Sequence, residues 1–101
     1  MTPDDCLQLV FFTSHRSGPA RRMESLLAHL ARKERGRLRV RRVDVDERAD
    51  LAQRFKVEQV PALVVVADKR VVARMDGRAT APRIEKMLEP HLPREPITSS
   101  A

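Results

Sequence analysis

The chain has 101 residues, a formal net charge of +6 and 42% hydrophobic residues, which is typical of one small globular domain. No apolar run reaches the ~18–20 residues that a bilayer-spanning helix needs, so no membrane association is expected. Residues 1–5 include two aspartates and lack the basic-then-apolar order of a secretory signal, so a cytoplasmic location is expected. Cys6 is the only cysteine, which excludes an internal disulfide and a dithiol redox cycle within the chain.

The excess of basic residues predicts an anionic partner, either an acidic protein or a nucleic acid. Between residues 32 and 42 there are seven basic residues and one acid. Arg37, Arg39 and Arg41 alternate with apolar residues and are predicted to share one strand face, which is most simply a solvated face. Because the chain has no Trp, no Tyr and only three Phe, it offers little for nucleic-acid bases to stack on.

The first half of the chain predicts a strand, a helix and a second strand. Residues 1–5 are expected to be a flexible N-terminus, followed by an apolar strand at Cys6–Phe12. Apolar residues at helical spacing predict a helix over Pro19–Arg35, with Ser17 as its N-cap. A second strand is predicted at Leu38–Val45.

The second half predicts a short helix, a hairpin and a last helix. The short helix covers Glu47–Phe55, and the hairpin joins Ala62–Ala67 to Val71–Met75. The last helix opens at Thr80 or Ala81 and ends near Pro90. The predicted fold is therefore α/β, in the order β-α-β-α-β-β-α, with a four-stranded mixed sheet flanked by three helices. The domain is placed at residues 6–92, and residues 93–101 are expected to be a disordered tail.

The segment after the first strand resembles the active-site turn of the thioredoxin family, where Trp-Cys-Gly-Pro-Cys opens a helix. Arg16 stands at the Trp position, Ser17 and Ala20 stand at the two cysteine positions, and Gly18 and Pro19 are unchanged. The degenerate turn thus consists of His15, Arg16, Ser17, Gly18, Pro19 and Ala20. The match spans about Leu7 to Leu92, so the first strand and first helix of a full thioredoxin are expected to be absent.

Further positions carry the same resemblance. The segment Phe55–Ala62 is similar to the one that holds the family's cis-proline, which makes Pro61 the candidate, and Gly77 matches a glycine beside the family's substrate groove. The resemblance implies a peptide groove formed by the turn, Val60, Pro61 and Gly77. Val10 is interpreted as the replacement for the family's buried acid, with Arg42 as its basic neighbour.

The residues of the turn predict no catalytic site, no cofactor and no metal. A serine hydroxyl stays protonated where a cysteine would form the reactive thiolate. Cys6 is expected roughly 20 Å from the turn, at the other end of the strand. His15, His29, His91 and Cys6 show no metal-ligand spacing. Arg16, Arg21 and Arg22 surround the helix N-terminus and are candidate anion contacts.

Three functions remain open at this level. The first is a redox-inactive thioredoxin-like protein that binds a protein or peptide in the groove, and the Ser17 and Ala20 substitutions weigh against an enzyme. The second is a thiol-disulfide oxidoreductase with residual or intermolecular Cys6 chemistry. The third is a basic adaptor that binds acidic partners or nucleic acid. A homodimer through a sheet edge left exposed by the absent first strand is a further alternative.

Overall fold

The computed structural model describes residues 6–93, apart from the side chains of residues 19 and 20. The predicted flexible residues 1–5, and residues 94–101 of the predicted tail, lie outside this range. The elements, in chain order, are β1 (Leu7–Thr13), α1 (Gly18–Lys33), β2 (Leu38–Asp44), α2 (Ala49–Arg54), β3 (Ala62–Ala67), β4 (Arg70–Asp76) and α3 (Ala81–Leu88), followed by a 3₁₀ turn at Glu89–His91.

The four strands form one mixed sheet in the order β2-β1-β3-β4, which confirms the predicted architecture. β1 and β2 are parallel, whereas β1–β3 and β3–β4 are antiparallel. The β1–β2 register runs from Leu7 opposite Leu38 to Thr13 opposite Asp44. The helical connection between β1 and β2 is what a parallel pair requires.

One face of the sheet packs against α1 and α3. The buried residues of this face are Leu7, Leu9, Phe11, Leu38, Leu63 and Val65 from the sheet, with Met23, Leu27, Leu30, Ile84 and Leu88 from the helices. The spacing within α1 places its three buried residues on a single stripe, as the 3.6-residue period demands. Leu26 and Ala31 of α1 and Met87 of α3 are half-buried.

The opposite face packs against α2 and the loop that follows it. Its buried residues are Val10, Phe12, Val43, Ala62 and Val64, and Leu51 and Phe55 cover them. The rings of Phe12 and Phe55 lie 5.6 Å apart, centroid to centroid, at 57°. This tilted arrangement adds to the stabilisation from burial alone.

Element boundaries differ from prediction where turns take residues from the periodic segments. Asp68 and Lys69 have φ of 51° and 66°, which makes a two-residue turn, so Arg70 belongs to β4. The main-chain N–H groups of Glu47 and Arg48 bond to the Asp44 carbonyl, so α2 begins only at Ala49. Among residues 6–93, no helix has the length and hydropathy needed to span a bilayer.

Candidate functional site

The turn between β1 and α1 is closed by main-chain hydrogen bonds. The N–H of Ser17 donates to the Ser14 carbonyl (2.9 Å), and the N–H of Arg21 donates to the Ser17 carbonyl (3.2 Å). Ser17 therefore precedes the first helical residue, Gly18, as an N-cap residue does. His15, Arg16 and Gly18 are exposed, whereas Ser17 is half-buried.

Ser14 connects this turn to the loop after β2. Its Oγ donates a 2.6 Å hydrogen bond to Asp46 Oδ2 and accepts one of 3.3 Å from the Arg16 N–H. The side chain is buried, with 7% exposed. A buried hydroxyl bonded to a carboxylate fixes both loops, because an unpaired hydroxyl there would lose its solvation.

His15 lies against two carboxylates at the end of β2, that of Asp44, its last residue, and that of Asp46, in the loop that follows. Its Nδ1 is 3.6 Å from Asp44 Oδ2 and 3.4 Å from Asp46 Oδ2. The Asp46 N–H donates to Asp44 Oδ1 at 2.8 Å. That bond, followed by the His15 imidazole, lowers the pKa of the Asp44 carboxyl, and desolvation opposes the shift without cancelling it. The turn thus carries a negative pair beside its basic residues.

Within the described range, the same three residues are the ones whose geometry is compatible with holding a metal ion. One ligand atom from each of His15, Asp44 and Asp46 lies within 4.8 Å of the others. Sequence reasoning considered only histidine and cysteine spacing and missed this group. The signal was available, since Asp44 ends a strand parallel to β1 and Asp46 lies two residues beyond it. The carboxylates already accept hydrogen bonds from Ser14 and from the Asp46 main chain, so their arrangement is accounted for without an ion.

The sheet register brings the predicted groove residues to the same end of the molecule as the turn. Phe12, near the end of β1, lies opposite Ala62, and Ala62 lies opposite Asp76 at the end of β4. Pro61 directly precedes Ala62, and Gly77 directly follows Asp76. The Gly77 N–H donates to the Pro61 carbonyl at 2.8 Å, which joins the two loops directly.

The groove loops combine a buried proline with accessible main chain. The Val60–Pro61 peptide bond is cis, Pro61 is buried and Val60 is half-buried. Within residues 6–93, neither the N–H nor the C=O of Val60 has a hydrogen-bond partner. Gly77 has φ of +84°, and a Cβ built on it would meet nothing within 4 Å. The main-chain groups of Val60 are therefore unpaired in the described part of the chain, and no described atom lies against the Cα of Gly77 on its Cβ side.

Cys6 lies at the opposite end of β1 from the turn. Its Sγ–H donates to the Gly36 carbonyl at 3.5 Å, at the loop that leads into β2. The seven residues of β1 separate it from the turn by roughly 23 Å at 3.3 Å per residue. The thiol and the degenerate turn do not form one site.

The expected pairing of Val10 with Arg42 is wrong. The register places Phe11 opposite Arg42, and Val10 opposite Arg41. Adjacent strand residues point to opposite faces. Val10 is accordingly buried on the α2 side, whereas the Arg42 Nε lies 2.7 Å from Glu24 Oε1 of α1. Phe11, not Val10, fills the buried position beside Arg42.

The basic residues divide into two groups. Arg16 and Arg22 are exposed near the start of α1, and the Arg21 guanidinium donates to the His15 carbonyl at 3.3 Å. Arg39 and Arg41 share the α2 side of β2 and are exposed. Arg37 precedes the strand and is bonded to Glu34 and to the Pro93 carbonyl, so it does not belong with them.

Fold and site together define an α/β domain of thioredoxin-like topology whose helix-opening turn carries no thiol. The family model described as Thioredoxin matches residues 2–90. The chain therefore belongs to the thioredoxin family.

Named relatives agree with this assignment. Thioredoxin-1 of Drosophila yakuba is 35% identical over 74 residues, which are 73% of this chain and 69% of that protein. The crystal structure of the germline-specific thioredoxin Deadhead of Drosophila melanogaster is 32% identical in sequence, with a TM-score of 0.81. The match covers 87% of this chain and 83% of the Deadhead chain. The structure of a mutant thioredoxin from Halobacterium salinarum is 28% identical in sequence, with a TM-score of 0.83. The match covers 92% of this chain and 80% of the Halobacterium chain.

Proposed function

We propose that this protein binds an extended segment of a partner protein in the groove beside Val60 and does not carry out dithiol-disulfide exchange. The observation that carries the proposal is the combination of Ser17 and Ala20 at the two cysteine positions with the main chain of Val60, which has no hydrogen-bond partner within residues 6–93 and lies at the same end of the sheet. Nothing in this mode of binding requires a thiol.

The absence of redox chemistry follows from the atoms present at the turn. Disulfide exchange needs a thiolate as the attacking group and a second thiol to release the product. A helix N-terminus lowers the pKa of a cysteine, but the Ser17 hydroxyl has no accessible ionised form at neutral pH. Cys6 lies at the far end of β1 and cannot substitute for either group.

Binding in the groove would use main-chain hydrogen bonds. The free N–H and C=O of Val60 can pair with an extended chain, in the manner of a strand added to a sheet. Gly77 leaves space because it has no side chain. His15, Asp44 and Asp46 at the neighbouring turn would select among the partner's side chains by charge.

A binding assay with a matched pair of variants tests the groove. The probe is carboxymethylated insulin B chain, an extended polypeptide without free thiols. Gly77→Arg and Gly77→Ala share the backbone strain of a side chain at φ +84°, but only arginine projects across the groove. Binding by wild type and Gly77→Ala, with loss in Gly77→Arg, is expected. Equal affinity for all three proteins would exclude the groove.

Insulin reduction by dithiothreitol tests the redox half. Wild type is expected to leave the rate at its uncatalysed value. Catalysis that disappears in Cys6→Ser would instead support the oxidoreductase with Cys6 chemistry, and catalysis that persists in Cys6→Ser would contradict both functions. The cytoplasmic location and the homodimer stay predictions, which cell fractionation and sedimentation would check.

A further inference from the structure

The outer edge of β2 is an unpaired strand edge on the side of the molecule away from the groove loops at Pro61 and Gly77. β2 is terminal in the strand order, so within residues 6–93 no strand pairs with its outer side. The Leu7 N–H donates to the Arg37 carbonyl, and the Val45 N–H donates to the Thr13 carbonyl. In a parallel ladder, the main-chain N–H and C=O groups of every second residue point toward the partner strand. The odd-numbered residues of β2 therefore direct their N–H and C=O groups toward β1.

The even-numbered residues of β2 consequently direct their main-chain groups outward. The Leu38 N–H is already bonded to the Glu34 carbonyl, and the Asp44 carbonyl accepts from Glu47 and Arg48. Val40 and Arg42 are left with N–H and C=O groups that have no partner in the described part of the chain. Unpaired strand edges of this kind bind extended chains.

The two sides of this edge differ in chemistry. On the α1 side there is a groove of about 350 Å³, hereafter the α1 groove, lined by Phe11, Glu24, Leu27, Ala28, Ala31, Val40 and Arg42. Most of the lining side chains are apolar, and the two charged ones, Glu24 and Arg42, form an ion pair with each other. On the α2 side stand the exposed guanidinium groups of Arg39 and Arg41, which form no ion pair with any described residue.

From these observations we infer that the β2 edge binds an extended acidic segment of another protein, in which acidic and hydrophobic residues alternate. A strand added to this edge places successive side chains on opposite faces. One set enters the α1 groove, and the other set lies beside Arg39 and Arg41. The main chain of the segment bonds to Val40 and Arg42. The inference goes beyond the proposed groove function, because it concerns a different surface.

Charge decides between a foreign partner and a second copy. Two copies paired through β2 would bring the Arg39 and Arg41 side chains of both onto one face, since paired strand residues share a face. Like charges on neighbouring strands repel one another. An acidic segment neutralises the same arginines, so the edge favours it over self-association.

The probe is a dye-labelled peptide of about eight residues with neutral ends, alternating valine and glutamate, a length within the ordinary range for strands. A peptide alternating valine and lysine, and one with the glutamates and valines in separate blocks, serve as comparisons. Saturable binding of the alternating acidic peptide alone is expected in fluorescence anisotropy. Failure of that peptide to bind, or equal binding of the block peptide, would overturn the inference.

Two variants and one control locate the site. Val40→Pro removes an outward N–H without breaking the β1–β2 ladder, and edge strands tolerate proline. Losing that hydrogen bond and its neighbours is expected to weaken binding by about tenfold or more. Arg39→Glu with Arg41→Glu is expected to abolish binding of the acidic peptide. Arg83→Glu with Lys86→Glu makes the same change in net charge on exposed positions of α3 and should change affinity by no more than about twofold.

Circular dichroism establishes whether each variant is folded. If Val40→Pro is unfolded, the double variant Arg39→Glu with Arg41→Glu still tests the inference. An equal loss in the α3 control would mean non-specific attraction and overturn the inference. Tighter binding of single-stranded DNA than of the peptide at the same residues would also overturn it. Gly77→Arg should leave this peptide's affinity unchanged, so failure here is distinguishable from failure of the groove proposal.

Hydrogen exchange of the full-length protein examines whether the edge is free. The amides of Val40 and Arg42 are expected to exchange fast and those of Arg39 and Arg41 slowly, because only the latter direct their N–H groups toward β1. The peptide should slow exchange at Val40 and Arg42. Slow exchange at both before peptide is added would show that the protein's own chain or a second copy covers the edge, and would overturn the inference.

Discussion

Ser14 Oγ donates a 2.6 Å hydrogen bond to Asp46 Oδ2, across 32 positions of sequence. This bond connects the turn that opens α1 to the loop that ends β2. It also holds Asp46 where its carboxylate faces His15 Nδ1 at 3.4 Å. The local shape of the degenerate turn is therefore set by a strand that is a neighbour only in the folded sheet.

Ser14→Ala should destabilise the protein by about 1–2 kcal/mol, since hydrogen bonds to charged groups contribute about 1.5–3 kcal/mol when buried and Asp46 is partly exposed. Urea unfolding measures the change. Ser25→Ala on the exposed face of α1 is the control and should change stability by less than about 0.5 kcal/mol. Equal effects of the two substitutions would show that the Ser14–Asp46 bond contributes nothing.

Asp44→Asn should reveal a pH-dependent contribution. The pKa of Asp44 is lowered in the folded protein, chiefly by the Asp46 N–H, from an ordinary value of 3.8. A lowered folded-state pKa stabilises the fold above pH 3.8, and this contribution is lost as pH falls through the folded-state pKa. Wild type should therefore be more stable than Asp44→Asn near neutral pH, and the difference should shrink on acidification below pH 3.8.

Thermal unfolding across this pH range measures that difference. Asp68→Asn, in the exposed hairpin turn, is the matched control because Asp68 forms no ion pair within residues 6–93. A stability gap for Asp44→Asn that is constant with pH would argue against the carboxylate as its source.

The two glycines flanking the groove should respond differently to alanine. Gly77→Ala should cost about 1–2 kcal/mol, because Gly77 has φ of +84°, a region that Cβ disfavours. Gly18 is the first residue of α1, and a Cβ built on it would meet nothing within 4 Å. Gly18→Ala should therefore be neutral or stabilise the protein by up to about 1 kcal/mol. Denaturant midpoints compare the two, and a larger loss at Gly18 would contradict the backbone argument.

Ser17→Cys combined with Ala20→Cys should restore measurable dithiol chemistry. The helix that begins at Gly18 supplies the dipole that lowers a cysteine pKa at its N-terminus. In a Cys6→Ser background, the double variant should reduce insulin above the uncatalysed rate, whereas Ser17→Cys alone should not turn over. An inactive double variant with an intact fold would show that residues beyond the two thiols, such as Phe11, prevent catalysis.

The sequence was sufficient for the element order and the fold because both depend on local patterns. Runs such as Ala62–Ala67 and the helical spacing of Met23, Leu27 and Leu30 report burial directly. Boundaries were less accurate where turns form by hydrogen bonds, as at Asp44. The Val10–Arg42 pairing failed because strand register decides which side chains share a face, and a shift of one residue reverses the assignment.

By itself, the sequence determined that the turn has no thiol, that Cys6 stands alone and that the chain is basic. These are properties of composition and order, which folding does not change. Only the tertiary structure decided that Ser14, Asp44 and Asp46 meet at the turn and that Arg39 and Arg41 flank a strand edge with no described partner. The reason is physical: contacts between residues distant in sequence arise when strands pair, and pairing depends on the burial of both sheet faces at once.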